Sequence, residues 1–308
     1  LPARRAYSES PLNWSCHVHR ILLLVVVLSI AVGCTSAKDT PFDPVTQTPE
    51  LSGPAARNLE VTVPSAGVRL PGYLMLAAGE GAHPTVLLLH GYPGNEKNLD
   101  LAQSLRRAGL NVLFIHYRGA WGAEGEFRLA NTFADGQAAL TYLRANAGQY
   151  PVDADQLIVI GHSMGGFAAL QTAAADADVS CVVGIAAANI GTYAARGDAA
   201  KAGFAAYTDN LFMLAGWDGA TAVAELEANA DAFDLRNLGP QLTGRPVLLI
   251  TGTGDTVVPV DMQRSIAASW QDEGPVLTTR EIPGDHSFAA DRLSMQREVI
   301  EWLQQDCL

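Results

Sequence analysis

Positive charge is scarce in this chain. Its 308 residues hold 20 Lys and Arg against 32 Asp and Glu, a net charge of −12. A surface that binds DNA or RNA needs a basic face to meet phosphate, so nucleic acid is excluded as a partner. Charged residues of both signs make up only 17%, and hydrophobic residues 48%. That balance excludes a disordered chain and fits one large α/β domain or two small ones. Cysteine is limited to Cys16, Cys34, Cys181 and Cys307, with no C-x-x-C and no Cys/His spacing of a zinc site. No segment repeats at a fixed period, which excludes a solenoid or propeller. No apolar run reaches the roughly 20 residues of a comfortable transmembrane helix.

A shorter apolar run is present near the start. Arg4, Arg5 and Arg20 precede Ile21 to Val32, and Gly33-Cys34 follows. A basic segment, a short apolar segment and small residues before a cleavage point predict a secretory signal over residues 1–33. Ala31-Val32-Gly33-Cys34 resembles the lipobox of bacterial lipoproteins. That resemblance implies a lipidated Cys34 as the new N-terminus, and an exported chain anchored to a membrane from outside. The family pattern prefers Leu where Ala31 stands; an ordinary signal peptide or an uncleaved anchor is the other reading. Residues 1–19 are long and polar for such a leader, so initiation is expected nearer Val18. Residues 34–58, with Pro41, Pro44, Pro49 and Pro54 among Thr, Ser and Gln, read as a tether. A Cys181–Cys307 disulfide is open to an exported protein, but strand and tail give no geometry for it, and unpaired thiols are the favoured reading.

Folded pattern begins near Leu59. Continuous apolar runs at Thr85–Leu89, Val112–Ile115, Leu157–Ile160, Val182–Ile185 and Val247–Ile250 suit strands buried on both faces. Leu59–Val63 and Tyr73–Leu76 form an opening pair, and the mixed Val276–Ile282 suits an edge. Helical patterns lie between, at Leu99–Ala108, Phe133–Asn146, Met164–Ala175, Met262–Gln271 and Arg292–Gln305. Alternation of this kind predicts a mostly parallel sheet flanked by helices over residues 59–308. Residues 189–244, about 55 in number, exceed an ordinary crossover and read as a helical insertion over one end of the sheet. Most of its aromatic residues are expected to pack a small core of their own, with about a third facing a pocket.

Gly161-His162-Ser163-Met164-Gly165 carries the chemistry. It has the form G-x-S-x-G between an apolar strand and an Ala-rich helix, the setting of a nucleophile elbow. A serine hydroxyl needs a base, and the base an orienting carboxylate. Asp255, just past Val247–Ile250 in Gly252-Thr253-Gly254-Asp255, is placed for the acid. Its bland alternative is an Asx-turn or an N-cap aspartate. A dinucleotide loop is ruled out there, because the third glycine of G-x-G-x-x-G would fall on Val257. His286, after the last strand, is placed for the base. An oxyanion hole needs two backbone N–H groups. Met164, after the nucleophile, and Tyr92, in His90-Gly91-Tyr92-Pro93-Gly94, are the candidates. His90 is expected to brace that loop.

Together with Tyr117-Arg118-Gly119-Ala120-Trp121-Gly122, these segments resemble the α/β-hydrolase superfamily, most closely its esterase and prolyl-oligopeptidase-like branch. The resemblance covers about residues 59–305, with His116 where relatives commonly have Asp. It implies an eight-stranded α/β-hydrolase fold with a Ser163, Asp255, His286 triad, acting on a small ester or short peptide with no metal or organic cofactor. An ester hydrolase is the leading expectation. A serine peptidase is the second, though the chain has no room for a large N-terminal propeller. A non-catalytic binding lipoprotein on the same scaffold is the third.

Overall fold

The computed structural model describes residues 41–50, 52–271 and 274–308. Cys34 and the predicted signal lie outside the described residues. Eight strands form one sheet: β1 (Arg57–Ser65), β2 (Val68–Leu76), β3 (His83–Leu89), β4 (Asn111–Ile115), β5 (Val152–His162), β6 (Val179–Ile185), β7 (Pro246–Gly252) and β8 (Val276–Ile282). Their order across the sheet is β1-β2-β4-β3-β5-β6-β7-β8. The first two strands pair antiparallel, β2 pairs antiparallel with β4, and every later pairing is parallel. The expected eight-stranded, mostly parallel sheet is therefore the one found.

Composition explains the difference between centre and edge. β4 and β7 are buried almost throughout because helices cover both faces. On β3, Val86 and Leu88 join one apolar cluster and Leu87 and Leu89 another, so successive side chains feed the two faces of the sheet. Burying one such side chain stabilises by roughly 1.5–3 kcal/mol. β1 instead alternates, burying Val61, Val63 and Ser65 on one face. β8, at the far edge, is only partly covered.

The helices are α1 (Leu99–Arg107), α2 (Leu129–Ala145), α3 (Met164–Ala174), α4 (Asp198–Thr208), α5 (Gly219–Ala228), α6 (Val260–Ser269) and α7 (Arg292–Trp302). Between β6 and β7 the insertion holds α4, α5 and three short 3₁₀ turns at Ile190–Ala195, Leu235–Leu238 and Pro240–Leu242. It is tied down by the loop after β4. Trp121 N–H donates to Met213, Ala215 N–H to Gly119, and Phe127 N–H to Ala215. Arg118 and Ser65 converge on buried Asp135 and hold that loop from below.

Two sequence expectations are corrected here. The expected tether is not extended throughout: Val45 is buried, Arg107 donates to the Pro44 and Val45 carbonyls, and Arg297 pairs with Asp43. Cys181 and Cys307 are not free thiols: α7 opens into a wider π turn at Leu303–Cys307, and Cys307 is disulfide-bonded to Cys181 on β6, with Cα atoms 5.9 Å apart. The sequence carries no signal for a turn that swings the tail back under the sheet.

Candidate active site

β3 and β5 lie side by side, but the chain crosses from β3 to β4 on one side of this pair and from β5 to β6 on the other. In an open α/β sheet, ligands bind outside the carboxyl ends of strands at such a reversal. The loops after β3, β5, β7 and β8 meet there.

Ser163 joins β5 to α3 with φ 59° and ψ −121°. A non-glycine residue there is strained by about 1–3 kcal/mol and persists only where its surroundings hold it. Ser163 N–H donates to Ile185 at 2.9 Å, and its carbonyl accepts from Gly166 and Ala188, each at 3.0 Å. The flanking glycines allow the turn. A Cβ on Gly161 would overlap the Gly165 carbonyl, and one on Gly165 the Leu89 carbonyl.

His286 sits four residues past β8. Asp285 accepts from the N–H groups of Ser287 and Ala289, and Phe288 is fully buried, so this loop is anchored on both sides of the imidazole. The Ser163 hydroxyl lies 3.0 Å from His286 Nε2, and His286 Nδ1–H donates to Asp255 Oδ2 at 2.7 Å. The other Asp255 oxygen accepts from Val257 and Val258 N–H, both at 2.8 Å. Burial alone would raise the Asp255 pKa, but His286 and those two N–H groups outweigh it and hold the carboxyl below its ordinary value. The structure thus brings Ser163, His286 and Asp255 into one relay.

Met164 is the first residue of α3, and the first N–H groups of a helix have no partner within it. Tyr92 faces the same space, and both residues line the cavity that reaches Ser163. The Tyr92 loop is braced, though chiefly by residues other than the one expected. Tyr117 hydroxyl donates to the His90 carbonyl at 3.1 Å and Trp121 Nε1–H to the Pro93 carbonyl at 2.8 Å. The ring of His90 reaches only the adjacent Gly91 carbonyl, at 2.8 Å. Burial pushes the His90 pKa down to about 3. His116 packs against the rings of Phe114 and His90.

His162, beside the nucleophile, packs its ring 4.8 Å from that of His286 and donates Nε2–H to the His286 carbonyl at 2.8 Å. The cavity holds about 430 Å³. Three of the insertion's six aromatic residues, Tyr193, Phe204 and Tyr207, line it, more than the expected third. Phe212 is exposed, and Trp217 is buried against Phe127. Thr208 and Trp217, which hold the Tyr92 hydroxyl, were not legible as site residues, since their partner lies over 100 positions away.

Sheet order, elbow and relay together describe an α/β hydrolase scaffold, and comparison with known proteins agrees. The alpha/beta hydrolase family model matches residues 86–301, and the chain belongs to that family. An uncharacterized Mycobacterium tuberculosis protein is 34% identical over 113 residues, 36% of this chain and 39% of its own length. An Arabidopsis thaliana alpha/beta hydrolase domain-containing protein is 31% identical over 104 residues, 33% of each chain. The chain thus spans between a third and two-fifths of the length of these curated relatives. Among solved structures, Est1E from Butyrivibrio proteoclasticus with bound ferulic acid superposes at TM-score 0.63 and 18% identity, covering 80% of this chain and 98% of that one. A Pyrococcus horikoshii acylaminoacyl peptidase superposes at 0.65 and 16% identity, covering 82% and 42%. At such identities the likeness is one of fold.

Proposed function

We propose that the protein is a serine hydrolase that cleaves uncharged carboxylic esters. The observation that carries this reading is the Ser163–His286–Asp255 relay, with steps of 3.0 and 2.7 Å, opening onto an apolar cavity. Ser163 Oγ attacks the ester carbonyl while His286 Nε2 takes its proton. The carbonyl oxygen becomes an oxyanion, held by the N–H groups of Met164 and Tyr92. As the tetrahedral species collapses, the carbon–alkoxide bond breaks, and His286 returns the proton to the departing alcohol. Water, activated by the same imidazole, then releases the acid and restores Ser163. Asp255 fixes the Nδ1–H tautomer and stabilises the imidazolium.

Ester rather than peptide cleavage is favoured by the lining, which among the described residues carries no Asp, Glu, Lys or Arg to fix a peptide terminus. The fold likeness to a peptidase keeps amide cleavage as the second reading. A catalytically silent binding lipoprotein is disfavoured by an intact relay. A panel of p-nitrophenyl esters beside aminoacyl anilides tests this. Ester turnover that falls by about 10⁴-fold or more in Ser163→Ala supports the reading, and turnover that survives overturns it.

Export and a lipid anchor on Cys34 remain part of the proposal. They are supported by the lipobox-like Ala31–Cys34 and by the Cys181–Cys307 bond, since disulfides persist in oxidising compartments. Among the described residues no helix is long and apolar enough to cross a membrane. Incorporation of radiolabelled palmitate that disappears in Cys34→Ser supports the anchor, and an unlabelled parent protein refutes it.

A further inference from the structure

One wall of the cavity beside Ser163 is built of rings. Tyr193, Phe204, Tyr92 and Tyr207 follow one another with centroids 6.5, 5.8 and 6.1 Å apart, each pair tilted rather than stacked. The remaining lining is mostly aliphatic, including Leu129, Ile190 and Leu226.

Folding explains only part of the placement of Phe204 and Tyr207. They lie three residues apart on α4, so they share a face. A surface helix normally commits its large apolar residues to the core. On α4 the buried residue is Thr208, while Phe204 is half-buried and Tyr207 is 50% exposed, both at the cavity. Phe204 packs in part against the core, but the ring of Tyr207 is kept for something other than packing.

The Tyr92 hydroxyl in this wall is already engaged. Tyr92 hydroxyl accepts from Trp217 Nε1–H at 2.9 Å and lies 2.8 Å from the Thr208 hydroxyl. The Arg196 guanidinium stacks on Tyr193, 3.7 Å from its centroid. What the wall offers a ligand is mainly ring face and ring edge. Aromatic pairs are attracted edge to face at centroid distances of about 4.5–7 Å, beyond the effect of buried area. An apolar cavity of about 150 Å³ accepts benzene. A cavity of about 430 Å³ holds one such ring and its link to the scissile carbonyl.

We propose that this site, resting on the ester-hydrolase reading above, selects esters that carry one uncharged aromatic ring, seated among Tyr92, Phe204 and Tyr207. The same relay performs the cleavage; the wall decides which ester is held.

Two matched pairs of substrates test this. Methyl 3-phenylpropanoate against methyl 3-cyclohexylpropanoate places the ring on the acyl side. Benzyl acetate against cyclohexylmethyl acetate places it on the alcohol side. The cyclohexyl ester buries more apolar area, so a merely greasy pocket favours it. The inference expects kcat/KM to favour the aromatic member of at least one pair by about 2- to 10-fold. It expects that ratio to fall to one or below in the Phe204→Leu/Tyr207→Leu protein, with unchanged thermal unfolding showing that the variant is folded. Equal or better cleavage of the cyclohexyl ester in both pairs overturns the inference, as does a ratio that survives in the folded variant. An active enzyme, labelled at Ser163 by a fluorophosphonate, that shows no aromatic preference overturns this inference alone. A protein that cleaves none of the four and takes no label removes the hydrolase reading with it.

Discussion

His162 donates its Nε2–H to the main-chain carbonyl of His286 at 2.8 Å. The residue beside the nucleophile thus holds the loop that carries the base, across 124 positions of sequence. Burial, reinforced by the nearby His286, pushes the His162 pKa down to about 4, so the ring stays neutral and adds no charge beside the relay. His162→Leu removes the donor. It is expected to lower kcat about 10-fold while KM changes less, because small misplacement of a catalytic group is costly. His162→Gln, which retains an N–H donor, is expected to recover part of the loss. Steady-state kinetics on one ester checks this, and a Leu variant with unchanged kcat contradicts it.

Tyr92 joins the oxyanion loop to the insertion through Trp217 and Thr208. Tyr92→Phe deletes both links and is expected to reduce kcat/KM about 3- to 10-fold, a hydrogen bond being worth roughly 0.5–1.5 kcal/mol. Trp217→Phe breaks one link. Adding it to Tyr92→Phe is expected to cost less than its effect alone, since both act through the same hydroxyl. Fully additive losses in a double-mutant cycle contradict this coupling.

Acid is expected to destabilise the fold before it protonates Asp100, Asp234 or Asp255. Burial is the main cause that lowers the pKa of His90 to about 3, and of His116 and His162 to about 4 each. Unfolded histidine titrates near 6.5, so between about pH 6.5 and 4 the unfolded chain binds more protons. Stability is fully present above that window and is lost as pH falls through it. The slope approaches about 1.4 kcal/mol per pH unit for each deeply buried histidine. It is smaller for His116, which keeps some solvent contact. Asp100, Asp234 and Asp255, held below their ordinary values, lose their contribution only at lower pH. Thermal unfolding from pH 7.5 to 4.5 reads this out. The midpoint should fall steadily, and less steeply in His162→Gln; a flat profile contradicts the account.

The Cys181–Cys307 bond closes a loop with a sequence separation of 126. Cross-links of that span typically stabilise by roughly 2–4 kcal/mol. Cys307→Ser is therefore expected to lower the unfolding midpoint on the order of 5–15 °C. Cys181 lies near the start of β6, at the opposite end of the strand from the catalytic loops, so ester turnover at low temperature should change little. Reductant should reproduce the shift in the parent protein and leave Cys307→Ser unaffected. An unchanged midpoint contradicts the assignment.

Much of this molecule was legible before any coordinates. Strands buried on both faces announce themselves as unbroken apolar runs, and β3 to β7 were found within a few residues of where Thr85, Val112, Leu157, Val182 and Val247 place them. Ser163 and Asp255 were nameable because each closely follows such a strand, and His286 because it lies in a short loop after the mixed edge strand β8; local sequence sets those positions. What escaped was set by distant partners. Tyr117 and Trp121 brace the oxyanion loop from 27 and 28 positions away, and His162 reaches His286 across the sheet. Whether Tyr207 serves a core or a cavity depends on how α4 lies over Ser163, and its periodicity is the same in either case.

The account rests on Ser163 being a nucleophile activated by His286. Intact-mass spectrometry after exposure to a fluorophosphonate, followed by peptide mapping, tests that most directly. Stoichiometric, covalent modification at Ser163 is expected, abolished in Ser163→Ala and slowed by orders of magnitude in His286→Ala. A protein that stays unmodified, or that is modified at another residue while Ser163 remains free, contradicts it.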